Sequence, residues 1–283
     1  MALTAPTRTG AIAALLPDGR LHLQHGPIDI VAEAFGPATA VRAAYARAAG
    51  RFASILDELV AELAALRFPD APVTGIVARR MAAAVVPYRP AFLTPMAAVA
   101  GAVAEEVLEA LTGPGITRAY ANNGGDIALW LASGDLTCAL AVSGGMDRVT
   151  VRSTDPVRGI ATSGWRGRSF SLGIADAVTV VARTAAMADA AATMVANAVD
   201  VGHPGVRRRP ARELQWDIDL GDRLVTVAVP VLSAPDRAAA LEAGLRAAEA
   251  FRARGLIEGA ALFLQGERRV TGALALEKGD GSG

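Results

Sequence analysis

Residues 184–199 constrain the fold more than any other stretch. They read Thr-Ala-Ala-Met-Ala-Asp-Ala-Ala-Ala-Thr-Met-Val-Ala-Asn-Ala-Val. Nearly every position is Ala, Val or Met, so a helix here is apolar all round, the pattern of a helix enclosed by the rest of the molecule. Its polar interior positions are Asp189, Thr193 and Asn197. A spacing of four is just over one turn, so the three form a stripe on one face. A carboxylate in such a setting must be paired, hydrogen-bonded or bound to a cation. A hard cation such as Mg²⁺ suits oxygen ligands from Asp189 and Thr193, with water or substrate phosphate completing its shell. The plain alternative is a solvent-facing stripe that keeps the helix soluble.

The surroundings of such a helix must pack closely. The chain of 283 residues is 52% apolar and only 5% aromatic, with alanine dominant. Alanine buries little area per residue, so close backbone approach replaces bulky side chains. Lys and Arg balance Asp and Glu at 28 each, so no global field favours nucleic acid or an anionic membrane. The basic run Arg207–Arg209 with Arg212 is interrupted by Pro210 and reads as a solvated linker. Cys138 is the single cysteine, which excludes an internal disulfide and a cysteine metal cluster. It reads as a buried structural thiol. The stretch Ala11–Leu16 is too short for a signal-peptide core, and no uncharged apolar run reaches about 18 residues. Cytoplasmic residence without membrane association is the expectation.

The rest of the chain reads as mixed elements. Leu21, Leu23, Ile28 and Ile30 give two edge-like strands around Gly26-Pro27, and helical spacing runs over 38–66 and again over 74–86. Met96–Leu111 forms a helix in which Gly101 marks a close approach by a backbone or a ligand. Ile116–Ala121, Ile127–Ala132 and Leu136–Val142 form a meander joined by Asn-Asn-Gly-Gly-Asp and Ser-Gly-Asp, with Ser143-Gly144-Gly145 after it. Val149–Arg152, Val157–Thr162 and Ala177–Ala182 continue as strands. After the segment Gly202–Arg212 come a strand pair (Trp216–Leu220, Leu224–Val229), a helix (Pro235–Arg254) and a hairpin (Ala260–Gln265, Arg269–Leu276). Helices and antiparallel strands in blocks predict an α+β fold: one domain over 1–278, or two intimately associated lobes of it with a hinge near 202–212, and a disordered tail at 279–283.

Two turns complete the candidate chemistry. Asn122-Asn123-Gly124-Gly125-Asp126 supplies the positive φ a hairpin needs, and also a backbone loop that a ligand can approach beside Asp126. Ala161-Thr162-Ser163-Gly164 offers N–H groups and hydroxyls that can hold phosphate, or else an ordinary turn. His22, His25 and His203 share no metal-binding spacing, and no dinucleotide fingerprint, phosphate loop or nucleophile elbow occurs.

In this order, Asn122–Asp126, Thr162-Ser163-Gly164, the strand Val178–Val181 and Ala188-Asp189-Ala190-Ala191-Ala192-Thr193 resemble the motifs of the ApbE superfamily. That superfamily includes the flavin transferases that use FAD and Mg²⁺ to attach FMN to a protein threonine. The resemblance covers roughly residues 90–200. It implies an ApbE-like, T-fold-related architecture of antiparallel sheets packed with helices. It also implies Mg²⁺ on Asp189 and Thr193, and an FAD or FMN pocket using Asn122, Gly124, Gly125, Asp126, Thr162, Ser163 and Gly164. Asp126 and Asp176 are candidates for proton transfer. Thr94–Gly101 and Ser171–Val178 resemble signatures of a shorter cytoplasmic branch, some archaeal members of which are linked to homocysteine formation. Two transferase features are missing: Ala100 precedes Gly101 where transferases carry Lys, and the interval Trp165–Asp176 holds no His. Without that His the general base for threonine attack is absent. The expectation is therefore a pocket for a small-molecule or nucleotide ligand, in an enzyme or in a non-catalytic accessory protein of sulfur-amino-acid metabolism. A homodimer is a further expectation, and a purely structural protein acting through an interface is the remaining alternative.

Overall fold

The computed structural model describes residues 10–142, 145–272 and 276–278. The first nine residues, Ser143-Gly144 of the third meander turn, residues 273–275 of the expected strand Arg269–Leu276 and the tail 279–283 lie outside them. Three strands open the chain: β1 (Ile12–Leu15), β2 (Leu21–His25) and β3 (Ile28–Phe35). Helices α1 (Ala38–Ala61), α2 (Leu63–Leu66), α3 (Ile76–Val85) and α4 (Val99–Leu111) follow. The middle of the chain is the meander β4 (Arg118–Asn123), β5 (Asp126–Leu131), β6 (Asp135–Val142) and β7 (Gly145–Arg152), then β8 (Gly159–Ser163) and β9 (Ala177–Ala182). Helix α5 (Ala185–Ala198) leads to β10 (Arg207–Pro210), α6 (Ala211–Leu214), β11 (Leu224–Ala228) and α7 (Ala234–Ala253). Strands β12 (Gly259–Leu264), β13 (Glu267–Gly272) and β14 (Leu276–Lys278) end the described chain.

The architecture is α+β in three layers. The main sheet has the order β1-β2-β3-β4-β5-β8-β9-β12-β13, and every pairing in it is antiparallel. The period-2 pattern of its central strands splits the core. Leu262 of β12 joins the large core under the helices, while Ala261 and Phe263 join a second core. That second core lies against the small sheet β14-β7-β6, where Cys138, Val149 and Val151 supply the facing side chains. Both faces of β9 are therefore covered and all six of its residues are buried, as a strand that is apolar at successive positions requires.

Helix α5 packs against α4, α7, β8 and β9. Alanine makes this possible, because a helix of small side chains lets neighbouring backbones come close. Gly101 of α4 shows how tight the contact is: a Cβ there would overlap the Ala185 carbonyl and lie 2.8 Å from the Ala186 amide nitrogen. The close approach expected at Gly101 is thus made by the α5 backbone. Thr184 caps α5, its side chain accepting from the Met187 N–H at 3.2 Å.

Several expectations are corrected. Trp216–Leu220 is not a strand. The partner of β11 is β10, built from the arginine run expected as a linker. Arg208 explains why that run is ordered, donating to Asp200 at 2.6 Å and to the Leu172 carbonyl at 3.3 Å. Strands β2 and β3 are interior to the sheet, because β1 occupies its edge. Ala161–Ser163 is not a turn but the end of β8, paired through Thr162 to Thr179 and Ser163 to Val178.

Candidate functional site

The β4–β5 hairpin is the first wall of the site. Gly124 and Gly125 form its two-residue turn, with φ of +65° and +115°. The Asn122 carboxamide closes it by accepting the Gly125 N–H at 2.8 Å. Asn123 is buried and donates from Nδ2 to the Ala100 carbonyl at 3.1 Å, tying the hairpin to the start of α4. This places Asp126, the first residue of β5, beside the α4–α5 contact. Its Oδ1 accepts the Thr162 N–H at 3.2 Å, and Thr162 is held in turn by a hydroxyl–hydroxyl bond to Thr179 at 2.9 Å.

The stripe on α5 is the second wall. The Asp189 Oδ2 accepts the Gly101 N–H at 3.0 Å. The Asn197 Oδ1 accepts the Leu172 N–H at 2.9 Å and bonds the Ser171 hydroxyl at 3.3 Å, anchoring the loop before β9. The stripe is thus partly buried, with all three positions of intermediate exposure. All three of its residues line one cavity of about 220 Å³, together with Asp126. Thr94, Met96 and Val99 close it on the α4 side, Arg168 and Phe170 on the loop side, and Ile218, Asp219 and Leu220 from the segment between α6 and β11. The Thr94 hydroxyl donates to the Asp219 carboxylate, which fastens that last segment to the stretch leading into α4.

Electrostatics single out the acid pair. Burial pushes the Asp126 carboxyl up to about 7, against the opposing pull of the Thr162 N–H and the Arg168 charge. Asp189 is raised well above the usual carboxylate range by burial and by the negative charge of Asp126, although the Gly101 and Ala100 N–H groups oppose this. Two desolvated carboxylates acting on each other cannot both ionise cheaply without a positive partner. Among the described residues no group of three or more His, Cys, Asp or Glu side chains could hold a metal. A cation here would take two carboxylates and the Thr193 hydroxyl, and complete its shell from water or a ligand. This donor set is all oxygen and suits a hard cation.

The remaining sequence-predicted residues lie differently. Asn122, Gly124, Gly125, Thr162, Ser163 and Gly164 are outside the cavity wall; Asn122 and Thr162 shape it through the bonds just described. Asp176 is also outside the wall. Its Oδ1 accepts from Arg166 at 2.7 Å and Trp165 at 3.3 Å, and its Oδ2 accepts the Gln265 N–H at 2.6 Å. It braces the loop 165–176 against β12. Arg168, Phe92, Phe170 and Asp219 went unnoticed in the sequence; they sit in irregular segments with no periodicity to mark them.

A family model described as "AbpE bacteria" matches residues 13–270. The chain is similar to a UPF0280 protein of Methanococcoides burtonii, 37% identical over 118 residues, or 40% of this chain and 48% of that protein. It is similar to a UPF0280 protein of Methanothrix thermoacetophila, 41% identical over 108 residues, or 37% of this chain and 46% of that one. The chain thus spans about half the length of these curated relatives. The apo crystal structure of Pseudomonas stutzeri flavinyl transferase ApbE is similar over 99% of this chain and 97% of that one, at 13% identity and a TM-score of 0.45.

Proposed function

The chain belongs to the AbpE bacteria family, within the ApbE superfamily, and on that premise we propose that its cavity binds a divalent cation together with a phosphate-bearing ligand, a flavin nucleotide first among the candidates. One observation carries the reading: Asp126 from a hairpin and Asp189 from an enclosed helix converge on the same cavity with Thr193. A cation held by these oxygens would neutralise the acid pair and supply positive charge to phosphate oxygens. Asp126, Asp189 and Thr193 would hold it, and the Thr162 and Gly101 N–H groups would fix the orientation of the carboxylates.

Size limits the ligand. Pockets for drug-sized molecules run from roughly 300 to 1,000 Å³, so a cavity of about 220 Å³ encloses only part of a dinucleotide. A pyrophosphate or mononucleotide portion fits, with any larger remainder leaving at the mouth. Full FMN transfer is not part of the proposal, because Ala100 stands in place of Lys and the interval 165–176 holds no His. That absence favours a second reading, a ligand-binding accessory protein without turnover. The discriminating test is calorimetry of FMN and FAD binding with and without Mg²⁺, alongside assay of FAD pyrophosphate cleavage. Asp189→Ala is expected to abolish Mg²⁺-dependent binding; unchanged binding overturns the assignment. Cleavage by the wild type would favour the enzyme, and tight binding without cleavage the accessory protein.

A further inference from the structure

We propose that Arg168, lying against the glycine turn of the β4–β5 hairpin, is the anion anchor of this cavity; this rests on the phosphate-ligand reading above and assigns the residue that selects for it. Among the described residues of the wall Arg168 is the sole cation, facing a cavity that also contains Asp126, Asp189 and Asp219. Other arginines nearby are committed to structure. Arg166 pairs with Asp176 at 2.7 Å and lies over the Trp165 ring at 5.0 Å. Arg223 lies over the ring of the wall residue Phe92 at 3.2 Å, and Arg208 donates to Asp200 and to the Leu172 carbonyl. Arg168 acts on Asp126 through its charge but makes no hydrogen bond or close ion pair with any described residue, so its donors remain available in the wall.

Its position is specific. A Cβ built on Gly124 would lie 2.8 Å from the Arg168 Cζ and overlap Nη2. The guanidinium therefore rests against the bare Cα of the hairpin turn, whose left-handed φ of +65° is what calls for glycine. A guanidinium offers parallel donors that match two oxygens of a phosphate, and does so with a charge that cannot be lost. With a cation on the acid pair and a guanidinium in the wall, the chemistry selected is an oxyanion carried as its metal complex, in the phosphate or pyrophosphate class. A cationic ligand that neutralised the acid pair directly would meet Arg168 as a like charge.

The test uses the full chain, with Mn²⁺ as a paramagnetic stand-in for Mg²⁺ and inorganic pyrophosphate as the anion, at fixed ionic strength. Mn²⁺ binding is read by electron paramagnetic resonance, and pyrophosphate binding to the Mn²⁺-loaded protein by calorimetry. Arg168→Gln should weaken pyrophosphate about tenfold or more, the scale of losing hydrogen bonds to a charged group, while Mn²⁺ alone binds at least as tightly as to the wild type. Arg168→Lys should fall between the two, because it keeps the charge and loses the fork. If Arg168→Gln binds pyrophosphate within about twofold of wild type, or the wild type binds none, the anchor is overturned. The parent reading fails separately, if Asp189→Asn leaves Mn²⁺ binding intact.

Discussion

At the scale of single residues, the acid pair decides how the protein responds to pH. The carboxyls of Asp126 and Asp189 are both raised in the folded state, from an ordinary value of 3.8 and, for Asp126, to about 7. A group raised on folding binds its proton more tightly in the folded state than in the unfolded one. Its contribution is complete below the unfolded value and is lost as pH rises through the folded value. The metal-free protein should therefore lose several degrees of thermal stability between about pH 4 and pH 7, measured by calorimetry in chelator. Asp126→Asn should flatten that slope, because an amide has no proton to lose. A slope unchanged by Asp126→Asn would show that the pair does not govern stability here. Cys138 shows the same physics without partners: burial alone pushes its thiol up to about 11.

At the scale of elements, the α4–α5 contact sets the site. Gly101 packs on the Ala185 carbonyl, and its N–H holds Asp189. Gly101→Ala would force the helices apart at the point where they present the acid. Overpacking of this kind costs ~1–3 kcal/mol and at times more, so urea unfolding should shift by at least ~1 kcal/mol. Mn²⁺ affinity should fall as well, which a purely distant packing change would not cause. At this scale the sequence was partly legible. Helix α5 and its stripe followed from periodicity, and the close contact at Gly101 from its cost in a helix interior. Residues 216–220 misled for a specific reason: Trp216, Ile218 and Leu220 alternate with Asp217 and Asp219, which is the period of a strand. In the fold that segment forms turns, and Ile218, Asp219 and Leu220 line the cavity. Alternation here sorts neither pairing nor burial: Trp216 is 88% exposed, and Asp219 lines the cavity together with Ile218 and Leu220.

For the whole molecule, the main sheet is shared by two cores. Ala161 and Leu262 belong to one, Ile160 and Phe263 to the other, on the same strands. Separate melting of the two would require breaking β8 and β12 themselves. We expect a single transition in which far-ultraviolet circular dichroism and tryptophan fluorescence coincide. Two resolved transitions would instead support lobes that unfold independently. Among the described residues no helix is long and apolar enough to cross a membrane. The sequence by itself determined the α+β class, the enclosed helix and the presence of Asp189 and Thr193 on one of its faces, because a helix's period and a strand's alternation are properties of neighbouring residues. Only the tertiary structure decided that Asp126 joins Asp189, that Asp176 braces a loop instead, that an arginine run becomes a strand, and that Arg168 rests on Gly124. Those outcomes depend on contacts between residues far apart in the chain, which local pattern does not encode.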